Sequence, residues 1–209
     1  GRILSQLSSL KARKIICVGH KLAEKLWWAK NKSVIIPMGI DAAKFFPSDK
    51  KEARRRLNWS DERKVILFND NHQKVKRLDI AMKVFELVRK NMTLVHLEVL
   101  RGGNSPEMIP VYINASDCLL MCSDSEGGPM IIKEALACNL PIIATDVGDV
   151  AERLANVKGA FITDQNPEAL AGKVLEVLNN IPVSEGRDKI FSDELSEKQV
   201  AEKLEAVYD

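Results

Sequence analysis

The stretch SDSEGGPMIIKEALACNLPIIATDVGD, residues 123–149, reads in one pass as strand end, loop, helix and second strand. A buried strand closes at Ser123. A short loop carries Glu126, Gly127 and Gly128, and a helix begins near Pro129, a residue type favoured at the first helical position. LPIIATD (140–146) is again apolar and β-branched, as a buried strand is. Strand, helix and strand in this order make a βαβ unit, with parallel strands and a helix covering one face.

The same alternation runs outward in both directions. Upstream, KVILFND (64–70), VHLEVL (95–100) and DCLLMCS (117–123) are apolar strands. Between them lie an amphipathic helix over 77–91 and a short helix over 108–116. Downstream, DVAERLA (149–155) is a helix and GAFIT (159–163) a last strand, with two helices after it. Nearer the start, residues 1–13 place Ile3, Leu4, Leu7 and Leu10 at helical spacing. KIICVG (14–19) is a strand leading into a helix through Trp27 and Trp28, and SVIIPMGID (33–41) is a strand entering a Pro/Gly turn and the best candidate linker. A short helix with an N-cap signal at Ser48 or Asp49 follows. The expected fold class is α/β: a doubly wound, Rossmann-like parallel sheet with helices on both faces.

The 209 residues suit one domain with an appendage. Basic and acidic residues, 31 and 29, nearly cancel, so nothing demands nucleic acid as a partner. The basic run KKEARRR (50–56) is most simply a solvated helix face; its alternative is attraction to an anionic membrane surface. Cys17, Cys118, Cys122 and Cys138 sit in or beside apolar runs without metal-type pairing and read as buried thiols of a reducing cytosol. No apolar run approaches the ~20 residues of a membrane span. The chain opens on Gly1 rather than Met and reads as a piece of a longer protein.

In a parallel α/β sheet, ligands bind at the carboxyl ends of the strands. The helix start near Pro129 offers unpaired amides and about half a positive charge, which suits a diphosphate. Glu126 on the loop and Glu134 in the second helical turn face the same crevice, and a carboxylate accepts paired hydroxyls of a sugar or ribose.

This segment, with its Glu-x7-Glu spacing, resembles the signature of the group 1 (family 4) type of retaining GT-B glycosyltransferases. VIIPMGIDAAKFFP (34–47) resembles their hinge, YINASDCLLMCS (112–123) their ASD strand, and GRDKIFSDELSEKQVAEKLEAVY (186–208) their closing helices. The resemblance covers about residues 14–209. It implies one half of a GT-B fold, with residues 37–209 as the nucleotide-sugar-binding domain and 1–36 as the end of a preceding acceptor-side domain.

It further implies that Glu126, the candidate catalytic residue, contacts donor sugar hydroxyls, and that Glu134 takes the ribose hydroxyls. Gly127, Gly128, Pro129, Met130 and Ile131 would approach sugar and phosphate. The family's loop after the strand at 64–70 supplies an Arg and a Lys to the pyrophosphate. Lys76 matches the Lys, while the Arg position falls on Asn71, or on Gln73 in a related form of the motif. Lys74 or Arg77 is then the compensating cation. Arg101 to Asn104, at the next strand end, are candidates for the base pocket.

No cofactor and no metal is expected, since the nucleotide sugar is a substrate and the helix start with Lys76 supplies the positive charge. The expected partners are a nucleotide sugar and an acceptor-binding half outside this chain, with a cytoplasmic location and peripheral contact at the inner membrane face as the alternative. Two other functions fit the same residues: a non-catalytic nucleotide-sugar-binding module and half of a nucleotide-sugar epimerase. A nicotinamide-dependent dehydrogenase does not fit, because no G-x-G-x-x-G opens an early βα turn.

Overall fold

The computed structural model describes residues 2–208. Gly1, Asp209 and the side chain of Leu4, which the expected helical stripe included, lie outside the described residues. The elements are α1 (Arg2–Lys11), β1 (Ile15–Cys17), α2 (His20–Ala23), β2 (Ser33–Ile35), α3 (Lys50–Leu57), β3 (Lys64–Asn69), α4 (Leu78–Arg89), β4 (Val95–Leu100), α5 (Ile109–Ala115), β5 (Cys118–Met121), α6 (Met130–Ala137), β6 (Ile142–Ala144), α7 (Val150–Leu154), β7 (Ala160–Ile162), α8 (Pro167–Asn180), α9 (Gly186–Ser192) and α10 (Glu197–Tyr208). Short 3₁₀ turns lie at Lys30–Lys32 and Lys74–Lys76.

Five parallel strands form the main sheet in the order β4-β3-β5-β6-β7. The chain moves one way from β3 to β4, then crosses back to β5 and continues the other way. Its topological switch point, where α/β sheets open a crevice at their carboxyl edge, therefore lies between β3 and β5. Alternate residues of each strand feed opposite faces. Leu67, Leu119 and Ile142 pack with α5, α6, α7 and α9. Ile66, Phe68, Leu120 and Ile143 pack with α4 and α8. Burial on both faces explains why these strands are apolar throughout rather than alternating.

β1 and β2 form a separate two-stranded parallel sheet, Ile15 opposite Ser33. The segment after β2 is more than a linker. Ile40 is buried, its amide donates to Leu195 O at 2.8 Å, and it bridges to Ser196 in front of α10. The helix expected through Trp27 and Trp28 stops at Ala23. Ala23 is the one residue α2 buries, too little packing to propagate a helix. Trp27 and Trp28 meet edge to face at 5.5 Å and stay about half exposed.

Three smaller expectations are also corrected. The last strand is followed by three helices rather than two, because Asp193 and Glu194 separate α9 from α10. Pro129 is the N-cap of α6, with an extended ψ of 117°, rather than its first helical residue. The basic run of α3 is not wholly solvated. Arg54 is buried, giving Nε to Ala115 O, Nη1 to Asp61 O and Nη2 to Asp117. Asp49 caps α3 as expected, accepting from the Glu52 amide. All four cysteines are buried and free, and burial pushes Cys122 and Cys138 up to about 12. No helix is long and apolar enough to cross a membrane among the described residues.

Candidate functional site

At the carboxyl ends of β3, β4 and β5 the chain encloses a cavity of about 500 Å³. Its walls are Asn69, Asn71, Gln73 and Lys76 after β3; Leu100, Gly102, Gly103 and Asn104 at the end of β4; Ile109 of α5; and Glu126, Gly128, Pro129, Met130, Ile131 and Glu134 from the loop and first turns of α6. This is the crevice that the switch point dictates.

Each wall follows from local chemistry. Asn71 and His72 adopt left-handed backbone, a conformation short polar side chains tolerate, which turns the chain sharply after β3. The amides of Asp70 and Asn71 both donate to Leu100 O, closing that turn against β4. The 3₁₀ turn Lys74–Lys76 then decides which cation enters. Arg77 follows the turn in left-handed backbone and leaves on the outer side, as Lys74 does, while Lys76 takes another. Lys76 is buried on the cavity wall, while Lys74 and Arg77 line a separate outer surface with His72 and Asp124. Arg77 is committed there, two nitrogens to Asp79 and one to Asp124, each at 2.9 Å. Neither supplies the compensating cation expected at the cavity. Arg101 is exposed and outside the lining, because the chain turns outward after β4 and only Gly102 to Asn104 return.

The Glu126 loop and the Lys76 turn are tied together. Lys76 Nζ donates to Glu126 Oε1 at 2.5 Å, Ser123 Oγ donates to the same oxygen at 2.8 Å, and the Asp124 amide donates to Val75 O at 2.9 Å. Lys76 is the single cation among the lining residues, set against two carboxylates. The remaining pull on an anion comes from backbone. The amides of Gly127, Gly128, Met130 and Ile131 have no acceptor among the described residues. Unpaired amides at a helix start form a ready anion site. Gly127 itself sits behind the lining, its carbonyl against the turn after β6.

Glu134 reaches the cavity from the second turn of α6. Burial pushes its carboxyl up to about 7, with Lys44 pulling the other way. A carboxyl that binds its proton more tightly in the folded state contributes stability that is full below its unfolded value near 4.5 and lost as pH rises through about 7. Glu134→Gln should therefore raise the melting temperature at pH 8, by about 2–4 °C for ~1 kcal/mol of relieved burial cost, and change little at pH 5. Equal shifts at both pH values would show that Glu134 titrates normally.

Sequence reasoning placed Glu126, Glu134, Lys76, Asn71, Gln73, Gly128, Pro129, Met130 and Ile131 at the cavity, and the structure brings them together there. It missed Asn69, Leu100 and Ile109 as lining, and Ser123 as a partner of Glu126. Asn69 was findable: a polar residue closing an apolar strand at the carboxyl edge is out of place in a core. No group of metal-type ligands occurs among the described residues.

Comparison with known proteins adds three findings. Residues 94–191 match the sequence profile of the family described as Glycosyl transferases group 1. Relatives include an uncharacterized glycosyltransferase of Methanocaldococcus jannaschii, 27% identical over 193 residues, covering 86% of this chain and 54% of the relative. Another is the N-acetyl-alpha-D-glucosaminyl L-malate synthase of Bacillus anthracis, 22% identical over 200 residues, covering 81% and 52%. The chain spans about half the length of the curated relatives it matches. Among solved structures, sucrose-phosphate synthase of Thermosynechococcus elongatus superposes with a TM-score of 0.81 at 16% identity, covering 99% of this chain and 60% of that one. The Anabaena HepE protein, solved with UDP and glucose, superposes with a TM-score of 0.77 at 16% identity, covering 98% and 66%. The fold is the Rossmann-like α/β architecture of these GT-B neighbours.

Proposed function

We propose that this chain, which carries the Glycosyl transferases group 1 match at residues 94–191, is the donor-binding part of a retaining glycosyltransferase that uses a nucleoside diphosphate sugar. The observation that carries the reading is the cavity itself. Two carboxylates, one lysine and three unpaired amides converge on about 500 Å³ at the switch point. Glu134 accepts ribose hydroxyls, and the Gly102–Asn104 strand end faces the base. The amides at the start of α6 and Lys76 hold the diphosphate, and Glu126 meets hydroxyls of the sugar. A leaving diphosphate gains charge as the glycosidic bond breaks, so unpaired amides fixed before the reaction favour the transition state over the ground state.

Lys76 shares its charge with Glu126, which leaves less of it for the diphosphate and makes donor binding weak. A guanidinium beside it can hold a phosphate bidentately. Gln73→Arg, on the cavity wall, should tighten nucleoside diphosphate binding about tenfold, the effect of one charge-assisted bond less its ordering cost. Titration calorimetry of the two proteins reads this directly. No gain from Gln73→Arg or from Asn71→Arg would place the diphosphate elsewhere.

Residues 1–36, with their own two-stranded sheet, read as the closing elements of an acceptor-side half, and residues 37–209 as the donor domain. The five-stranded sheet carries this nucleotide site at its switch point. This chain alone should bind donor yet turn it over slowly, because holding acceptor and donor in register supplies up to about 7–11 kcal/mol of the barrier reduction. The test is nucleoside diphosphate release from the purified chain with a range of acceptors. Rapid acceptor-dependent release would refute the half-enzyme reading. Addition of the acceptor half should restore turnover; its failure to do so would favour the non-catalytic module, which the Lys76–Glu126 pairing already suits. Four buried free thiols agree with a cytoplasmic location, and Lys51, Arg55 and Arg56 remain exposed for contact with an anionic membrane face.

A further inference from the structure

Behind the Glu126–Gly128 loop lies a cluster of buried charge that the donor reading does not use. Lys133 of α6 is 0% exposed, and Asp149 and Arg153, which open and close the first turn of α7, are nearly as deep. Arg153 Nε stands 3.4 Å and Lys133 Nζ 4.0 Å from Asp149 Oδ2. None of these contacts closes into a hydrogen bond: Lys133 Nζ, both Asp149 carboxylate oxygens and Arg153 Nε have no hydrogen-bond partner among the described residues. Asp149 also occupies the N-cap position of α7 without accepting from that helix, the bond an N-cap aspartate ordinarily makes. Its carboxylate turns inward instead. Burial holds the Asp149 carboxyl above and the Lys133 ammonium below their ordinary ranges.

The inward carboxylate meets the loop. A Cβ on Gly128 would sit 3.4 Å from both Asp149 oxygens. A Cβ on Gly148, whose φ is +59°, would sit 2.8 Å from the carbonyl oxygens of Glu126 and Gly127. The Gly148–Asp149 turn is thus the floor on which the loop rests, and only glycine permits that approach. The floor is anchored from below. Arg153 Nη1 donates to Asp193 Oδ2 at 2.6 Å, Nη2 meets Glu152, and Lys189 holds the other oxygen of Asp193 at 2.9 Å. Burying charges short of hydrogen-bond contact is costly, and well-packed apolar side chains would serve stability as well or better.

We propose that Asp149, held between Lys133 and Arg153, is a positioning residue that sets the Glu126–Gly128 loop and, through it, the grip on the sugar end of the donor. The last part rests on the reading of the cavity as a donor site; the first part does not. Stability alone does not explain an acid that forgoes its own helix cap to stand against Gly128, whose unpaired amide lines the cavity. Through Glu126 the loop holds the sugar, whereas Lys76, Glu134 and the β4 strand end hold the nucleotide. Loss of the floor should therefore discriminate between a sugar nucleotide and its bare diphosphate.

The test uses ¹⁵N-labelled chain and the probes UDP and UDP-glucose. Asp149→Asn keeps the shape and removes the charge. Its Gly127 and Gly128 amide resonances should move as the loop loses its floor. UDP-glucose affinity should fall about tenfold and UDP affinity less than twofold. The double variant Lys133→Met/Asp149→Asn relieves the stranded ammonium and should recover the melting temperature, but neither the loop resonances nor UDP-glucose affinity. Unmoved Gly127 and Gly128 amides, a parallel loss of both ligands in step with stability, or full recovery in the double variant would each overturn the proposal. If wild-type chain binds neither UDP nor UDP-glucose, the amide measurements alone decide the positioning role.

Discussion

Glu134→Ala should weaken nucleoside diphosphate binding by tenfold to a hundredfold while the fold persists. Glu134 is the deep carboxylate of the cavity, set in the second turn of α6 where burial already raises its pKa to about 7. A carboxylate held in so dry a setting is a strong acceptor for paired ribose hydroxyls. Hydrogen bonds to a charged group contribute about 1.5–3 kcal/mol, and each 1.4 kcal/mol is a factor of ten in affinity. The truncation removes no core packing, and it relieves the burial cost that Glu134→Gln would also relieve. Stability should therefore hold or rise while affinity falls, a combination that general damage to the fold cannot produce. Titration calorimetry beside a melting curve reads both; unchanged affinity would remove Glu134 from the site. Glu126→Ala should differ, weakening the sugar-bearing donor more than the bare diphosphate.

Asp117→Ala should cost about 3–5 kcal/mol of stability, the range for breaking a buried ion pair from one side. Asp117 opens the β5 strand and is almost wholly buried. One oxygen accepts from Arg54 Nη2 at 2.8 Å and from the Val65 amide at 2.7 Å; the other accepts from Lys50 Nζ at 3.0 Å. Alanine would strand the buried guanidinium of Arg54 and leave the Val65 amide without its acceptor. The melting temperature should drop by about 2–4 °C per kcal/mol for a chain of this size. The consequence reaches the site, since Asp117 links β3 to β5, the two strands whose far ends frame the switch point. A loss below about 1 kcal/mol by urea denaturation would show that Arg54 finds water or another acceptor.

What could be read in advance follows a physical division. β3, β5 and β6 were legible because burial on both faces gives short apolar, β-branched runs bounded by turn residues, too short for a buried helix. Glu126 and Glu134 were legible because a loop and the helix it starts place them within one crevice by local geometry alone. α2 was overextended because the tryptophans that suggested it lie outside on the surface. Arg54 looked like any member of a charged run, since its partner Asp117 is remote in sequence and a paired guanidinium has no local signature. Lys74 or Arg77 reads as the compensating cation because the turn that carries both outward is fixed by tertiary bonds such as Asp124 N to Val75 O, which have no local signature. The buried Lys133–Asp149–Arg153 cluster had no place in the sequence reading, because it forms only once α6 and α7 pack together.

The most direct test of the central claim is calorimetric titration of the purified chain with nucleoside diphosphate sugars of different bases, carried out in parallel with Glu134→Ala. One saturable site per chain is expected for at least one base, with affinity reduced tenfold or more by the substitution. Absence of binding across every base, or binding that Glu134→Ala leaves untouched, would contradict the assignment of this cavity to a nucleotide sugar.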